Sequence, residues 1–178
     1  MKYNLGCGND ILAGFVNVDS VALPGVDLVC DLGTTPWPIE SGTATDVVIF
    51  NVLEHLADLI PAVEELHRIC AAGGVVRARV PFYNSPDMFA DPTHKRFFSN
   101  RTMDFFDPRT AACKERPYYS TARFHVSIAT VYTRVLKVYL PIRFQPLKGL
   151  LLWLARFLGG VVWVLEFRLE AVKDASSA

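Results

Sequence analysis

The sequence predicts one α/β domain built on a mostly parallel sheet. Short apolar runs, separated by turn residues, recur through the first half of the chain. One amphipathic helix stands between two of them, and a pair of glycines directly follows the first. Strands interleaved with crossovers favour a parallel sheet. A chain of 178 residues, 51% apolar and 20% charged, is long enough for one sizeable core.

Strands are expected at Tyr3–Leu5, Phe15–Val18, Leu28–Cys30, Asp46–Phe50 and Val75–Val80. Most are rich in β-branched or aromatic residues, as buried parallel strands are. A helix is expected from Ile60 to Cys70. Ile60, Val63, Leu66 and Ile69 form its apolar face, Glu64, Glu65 and Arg68 point away, and Gly73 and Gly74 end it. Residues 81–120 hold five prolines and many aromatics, which predicts a long substrate-side loop with a short helix near Asn100–Phe106. A strand broken in two (Phe124–Tyr139) follows, then an apolar helical stretch (Leu147–Leu165) interrupted at Gly159–Gly160, and a last strand over Glu166–Lys173. The whole chain, 1–178, reads as a single domain with an antiparallel C-terminal hairpin.

Bulk properties exclude several classes. Net charge is zero, so no nucleic-acid partner is expected. Four scattered cysteines with no C-x-x-C pair argue against zinc and disulfides and for a reduced, cytoplasmic setting. The second residue already leads into a strand, so no signal peptide is expected. Every long apolar run is interrupted by charge, and no spanning helix is required.

The most informative stretch is "NLGCGNDILAGFVNVDS", residues 4–20. Gly6 and Gly8 close the first strand and let a ligand approach the backbone. Asp19 ends the second strand, thirteen positions after Gly6, where a carboxylate can accept hydrogen bonds from ribose hydroxyls. Each feature alone has a plainer reading, a tight turn for the glycines and an Asx turn with Ser20 for the acid. Together they favour an adenosine-containing ligand. A dinucleotide fingerprint needs about 20 residues to its acid and a third glycine; here the interval is short and Asp10 stands in place of that glycine. No Lys or Arg follows the loop and no P-loop is present, so a phosphate-free nucleoside fits better than a triphosphate. The crossover also leaves no room for a full helix, so the first helix is reduced to about a turn.

In order along the chain stand "NLGCGND", "GFVNVD", "CDL…PWP", "VVIFNVLEHL", "EELHRIC…GGVVRARVP" and "DPTHKRFFS". Over residues 3–106 this resembles the class I S-adenosylmethionine-dependent methyltransferases. It is most similar to a small bacterial group, methyltransferase type 11, often found with cell-surface polysaccharide genes. The resemblance implies a Rossmann-like methyltransferase fold, S-adenosylmethionine as cofactor and S-adenosylhomocysteine as product. It implies methyl transfer to a hydroxyl or amine of a small or glycan-linked acceptor. Gly6, Cys7 and Gly8 would pass the methionine part. Asp19, with Ser20, would hold the ribose, and Asp31 and Leu32 would border the adenine. Asn51, with Val52, would lie near the methionine ammonium. The departures are Asp10 and the short first crossover.

For chemistry at a hydroxyl, His94 is the candidate general base and Asp91, three residues before it, its orienting partner. Loop pinning is the competing role for both. His55 could face the acceptor or cap the following helix, and His67 and His125 read as packing or surface residues. The D-x-x-H spacing that would join His55, Asp91 and His94 is too little to predict a metal, and none is expected. Lys95, Arg96, Phe97 and Phe98 could hold an acidic acceptor or simply pair solvated charge with buried rings. Residues 147–165 read as a core helix, as a homodimer contact, or as a peripheral membrane patch of Leu150, Leu151, Trp153, Leu154, Phe157 and Leu158, with Lys148 and Arg156 at headgroup level. Two other functions compete with methyl transfer: a cofactor-binding module without turnover, and, on weaker grounds, an NAD-dependent oxidoreductase.

Overall fold

In the computed structural model, which describes residues 1–135 and 138–173, the chain runs β1 (Lys2–Leu5), β2 (Val16–Asp19), β3 (Leu28–Val29), β4 (Ala44–Phe50), α1 (Leu59–Ile69), β5 (Cys70–Pro81), α2 (Pro86–Ala90), α3 (Ala111–Glu115), β6 (Phe124–Val135), β7 (Val138–Ile142), α4 (Gln145–Leu154) and β8 (Val164–Ala171). The strands form one sheet in the order β3-β2-β1-β4-β5-β8-β6-β7. β1 to β5 pair in parallel, β8 enters antiparallel between β5 and β6, and β6 and β7 form an antiparallel hairpin. This is the mostly parallel sheet with antiparallel C-terminal strands that the sequence predicts. From β1 the chain winds outward to β3, then returns to start again at β4. The strand order therefore reverses between β1 and β4, which places a crevice at their carboxyl ends.

Helix α1 covers one face. Asp58 caps it by accepting the Ile60 N–H at 3.2 Å. Its Ala62, Val63, Leu66 and Ile69 are buried in one cluster with Val76, Ala78, Val80, Leu165, Phe167 and Leu169, alternate residues of β5 and β8. Each such large aliphatic side chain contributes about 1.5–3 kcal/mol on burial. Glu65 does not face away as predicted. It is buried, accepts the Trp37 N–H at 2.7 Å and pairs with Arg68 at 2.7 Å, while Arg68 donates to the carbonyls of Trp37 and Ile39. The pair fastens the β3–β4 crossover onto α1.

The opposite face of the sheet carries charge. Arg77 pairs with Asp46 at 3.1 Å, Arg79 with Glu166 at 2.8 Å and Arg168 with Glu170 at 2.8 Å. Neither the β1–β2 nor the β2–β3 crossover contains a helix. Buried Asn17 supplies what a helix would have supplied to the first of them. Its Oδ1 accepts from Leu12 N–H and from Asn4 Nδ2, both at 2.9 Å, and its Nδ2 donates to the Leu12 and Phe15 carbonyls. Backbone groups that must be paired are thus paired by two asparagines.

Three further expectations change. Gly73 and Gly74 do not cap α1, which turns directly into β5 at Cys70. A Cβ on Gly74 would stand 2.6 Å from the Ala44 carbonyl oxygen, so that glycine serves close approach of β5 to β4, beside a register shift. The apolar stretch 147–165 is helical only to Leu154, and its last residues already belong to β8. Residues 81–120 hold more short helical turns than the one expected near Asn100–Phe106, which stands at Thr102–Phe106, and Phe82, Met88, Phe98, Met103, Phe106 and Cys113 are buried between them.

The C-terminal apolar helix is only partly core. Leu151 and Leu152 pack against the cluster, but Trp153 is 54% and Phe157 72% exposed. Leu150 and Leu158 are also exposed, whereas Leu154 is half-buried. Lys148 is not at the surface as predicted. It is 5% exposed and donates to the Ile128 and Ala129 carbonyls, where β6 shifts register against β8. Its charge answers carbonyls freed by that irregularity. Among the described residues no helix is long and apolar enough to cross a membrane.

Candidate functional site

At the carboxyl ends of β1, β2 and β4 lies a cleft of about 440 Å³. Its walls include Gly6, Asp19, Ser20, Asp31, Leu32, Asn51 and Val52, all predicted from sequence. Gly6 has φ +67°, and a Cβ there would stand 2.2 Å from Val52 Cγ2, so only glycine lets the two loops meet. Gly8 does not line the cleft. Its N–H donates to Asp19 Oδ2 at 2.8 Å, while Asp19 Oδ1 accepts from Val21 N–H at 3.0 Å. Asp19 is therefore fixed by the backbone, with lone pairs remaining on its oxygens. Asp31 is fixed in the same way by Gly33 N–H at 2.8 Å and Thr34 Oγ1 at 3.1 Å. Cys7 lines a neighbouring cavity instead, with Asn4, Asp10 and Phe50, and burial, with the Asp19 charge adding, raises its thiol pKa.

The glycine loop is not an anion cradle. The N–H groups of Gly6 and Cys7 both donate to the Val18 carbonyl, that of Gly8 to Asp19, and that of Asp10 to the Cys7 carbonyl. A bound phosphate needs such donors free. A nucleoside without phosphate does not, so the residues present fit S-adenosylmethionine better than a dinucleotide.

A second pocket, of about 370 Å³, opens beside the first and shares Asn51 and His55 with it. Asn51 has φ +55°, and its N–H donates to the Arg79 carbonyl at 2.8 Å. Asn51 is the non-glycine residue with positive φ among the described residues, a conformation that asparagine tolerates better than most side chains. The pocket is lined also by Glu54, Arg79, Asp87, Asp91, His94, Tyr132 and Tyr139. Arg79 lies between the Phe50 and Tyr132 rings, 4.1 and 4.9 Å from their centroids, and bonds Glu166 and the Tyr132 hydroxyl. Tyr139, on the β6–β7 hairpin, donates to Asp87 and draws the hairpin over α2.

The three predicted catalytic residues come together, with one change of partner. Asp91 does not orient the His94 ring. Its carboxylate accepts from Thr93 N–H at 2.8 Å and Thr93 Oγ1 at 2.6 Å. Thr93 Oγ1 in turn meets His55 Nδ1 at 2.8 Å. The single Thr93 proton is committed to Asp91, so His55 Nδ1–H is the donor. His94 Nδ1 lies 2.9 Å from the Met88 carbonyl and must donate to it. The network thus assigns to both rings the tautomer that leaves Nε2 with its lone pair. The rings lie 4.8 Å apart, centroid to centroid. Burial, with His94 beside it, lowers the His55 pKa, against the pull of Asp91.

Sequence reasoning missed Glu54, although it stands inside the quoted "NVLEHL". Glu54 is 1% exposed, and its Oε2 has no hydrogen-bond partner among the described residues. Burial pushes its carboxyl up to about 7, its own backbone N–H opposing and the Asp91 charge adding. Arg79 was missed too, though arginines alternating with apolar residues along β5 were its signal. Lys95 lines the first cleft, but Arg96, Phe97 and Phe98 line neither. His67 bonds the Val172 carbonyl and packs on Phe124, and His125 is exposed on β6, both as expected.

Neither a scan of protein-family models nor a search of curated protein sequences finds a match to this chain. Solved structures do match it. An S-adenosylmethionine-dependent methyltransferase of Thermotoga maritima, described as a possible histamine N-methyltransferase, aligns over 95% of this chain and 80% of its own, with TM-score 0.61 and 12% identity. A methyltransferase of Archaeoglobus fulgidus aligns over 95% and 85%, with TM-score 0.60 and 16% identity. The [4+2]-cyclase SpnF aligns over 97% and 75%, with TM-score 0.58 and 11% identity. At such identities the likeness is one of fold. The chain has the Rossmann-like fold of the class I methyltransferases.

Proposed function

We propose that the chain is an S-adenosylmethionine-dependent methyltransferase acting on a hydroxyl or amine of a small or glycan-linked acceptor. The observation that carries this reading is the junction of the two clefts at Asn51 and His55. One is walled by fixed carboxylates suited to a nucleoside, and the other by a histidine–carboxylate cluster. When bound, the cofactor supplies a methyl group already activated by its sulfonium. Asp19 and Asp31 hold the nucleoside, preorganised by the backbone donors described above. The chain must then align the acceptor, which can contribute several kcal/mol. Arg79 and Tyr132 form a fixed wall for it, and the pocket volume admits a small group, such as a single sugar ring. In the bare site His94 Nε2 takes the acceptor proton. The open pocket supports turnover, where a plugged one would support an inert cofactor-binding module. SpnF, named as a cyclase, shows why the site and not the fold must carry the reading.

The test is calorimetric titration with S-adenosylmethionine of wild type and Asp19→Asn. The substitution keeps an acceptor for Gly8 N–H but removes the charge, so affinity should fall by about 1.5–3 kcal/mol. Unchanged affinity would refute the assignment. A labelled-methyl transfer screen on nucleotide sugars then tests the acceptor class.

A further inference from the structure

We infer that Glu54, His55 and His94 form a site for one borderline divalent cation, such as Zn²⁺ or Co²⁺, in the wall of the acceptor pocket. Three observations converge. One carboxylate oxygen of Glu54 and one nitrogen of each ring all lie within 4.8 Å of one another. Ligand atoms on a cation with bonds of about 2.0–2.2 Å stand roughly 3–3.5 Å apart, so small rotamer adjustments complete the set. Glu54 Oε2 is buried and unpartnered in a pocket wall, where an orphan carboxylate oxygen is costly. Both imidazoles have Nδ1 committed, to Met88 O and to Thr93 Oγ1, and so offer Nε2. An imidazole whose other N–H is held by a carbonyl or a carboxylate-linked hydroxyl is the usual outer-shell arrangement of a metal ligand.

Two imidazoles and one carboxylate suit a borderline ion. Mg²⁺ and Ca²⁺ prefer oxygen-only shells. Three protein ligands leave positions open toward the pocket, as catalytic sites do. Asp91 is not a ligand here but acts behind His55 through Thr93. The inference rests on the proposed methyltransferase reading only for its consequence. An acceptor hydroxyl on an open position would be oriented and made more acidic, its proton passing to solvent. His94 is then a ligand, and its role as base belongs to the bare site alone.

The test uses the full chain freed of metal by chelator and dialysis, titrated with Co²⁺ under visible spectroscopy and with Zn²⁺ by calorimetry. The expected result is one equivalent bound, with d–d absorption bands. Glu54→Gln and His94→Asn should each weaken binding about tenfold or more, while His125→Ala leaves it unchanged. Circular dichroism checks that each variant is folded, and the partly exposed His94 serves should Glu54→Gln fail to fold. Absence of saturable binding in the wild type, or undiminished binding in folded His94→Asn, would overturn the inference. S-adenosylmethionine titration of the same metal-free protein separates the two readings. Cofactor binding without Co²⁺ binding removes the metal and keeps the methyltransferase, and Co²⁺ binding without cofactor binding does the reverse.

Discussion

Gly6→Ala tests the junction of the proposed cofactor cleft directly. Two costs are separable. Gly6 has φ +67°, and an L-residue in the left-handed region costs about 1–2 kcal/mol. The added Cβ would also stand 2.2 Å from Val52 Cγ2 and 3.3 Å from Cγ1. Forcing Val52 aside is an overpacking cost of about 1–3 kcal/mol. Gly8 is the control, because it has φ +50° but nothing within 4 Å of its virtual Cβ. Gly8→Ala should therefore show only the backbone cost. In urea unfolding followed by circular dichroism, Gly6→Ala should lose about 2–5 kcal/mol and Gly8→Ala about 1–2. Val52→Ala removes both clashing methyls and leaves Val52 Cβ at 3.4 Å. In the double variant the two changes should couple favourably by about 1–3 kcal/mol. Equal losses at Gly6 and Gly8, or strict additivity with Val52→Ala, would refute the steric account. Because Val52 lines the cleft, Gly6→Ala should also weaken cofactor binding more than Gly8→Ala.

Two further outcomes follow from single side chains. Burial alone would raise the Asp107 carboxyl, but Arg109 and the N–H groups of Val126 and Arg109 outweigh it and hold it at about 2. Its pKa is depressed on folding, so its contribution of about 2 kcal/mol is present above pH 4 and lost as pH falls through about 2; the stability gap between wild type and Asp107→Asn in urea should shrink over that window, and a constant gap would contradict it. Trp153→Glu should fold with little change in melting temperature, because the ring is 54% exposed, and should abolish flotation with anionic liposomes if α4 is a membrane contact; a wild type that never floats removes the membrane reading.

Much of the sheet was legible because its strands are short, apolar and bounded by turn residues. The cleft was legible where a backbone demand leaves a residue signature, as at Gly6, and where an acid ends a strand, as at Asp19. What the sequence concealed were pairings across distance. Glu65 reads as a solvated helix residue until Trp37 and Arg68 are seen on either side of it. Lys148 reads as a surface charge until the β6 irregularity offers it two carbonyls. His94 was expected beside Asp91 by proximity in sequence, yet the folded loop gives Asp91 to Thr93 and His94 to Met88. The missing first helix was legible from crossover length, but not that Asn4 and Asn17 would stand in for it.

That missing helix also shapes the site. A third cavity, lined by Asn4, Cys7, Leu12, Phe50 and others, reaches Asn51 from the side of the sheet where a first crossover helix would pack. Asn51 thus borders three cavities at once, and its φ of +55° is what turns the chain between them. Two substitutions separate its backbone from its amide. Asn51→Gly removes the amide and relieves the left-handed strain, at an unfolded-state cost of similar size, so stability should change by less than about 1 kcal/mol. Asn51→Ala removes the same amide but keeps the strain without asparagine's tolerance of it, and should lose about 1–2 kcal/mol. If the amide contacts the cofactor, both variants lose S-adenosylmethionine affinity equally, despite their different stabilities. If the turn alone matters, Asn51→Gly binds like wild type and only Asn51→Ala weakens. Full affinity in both would remove Asn51 from the proposed cofactor site.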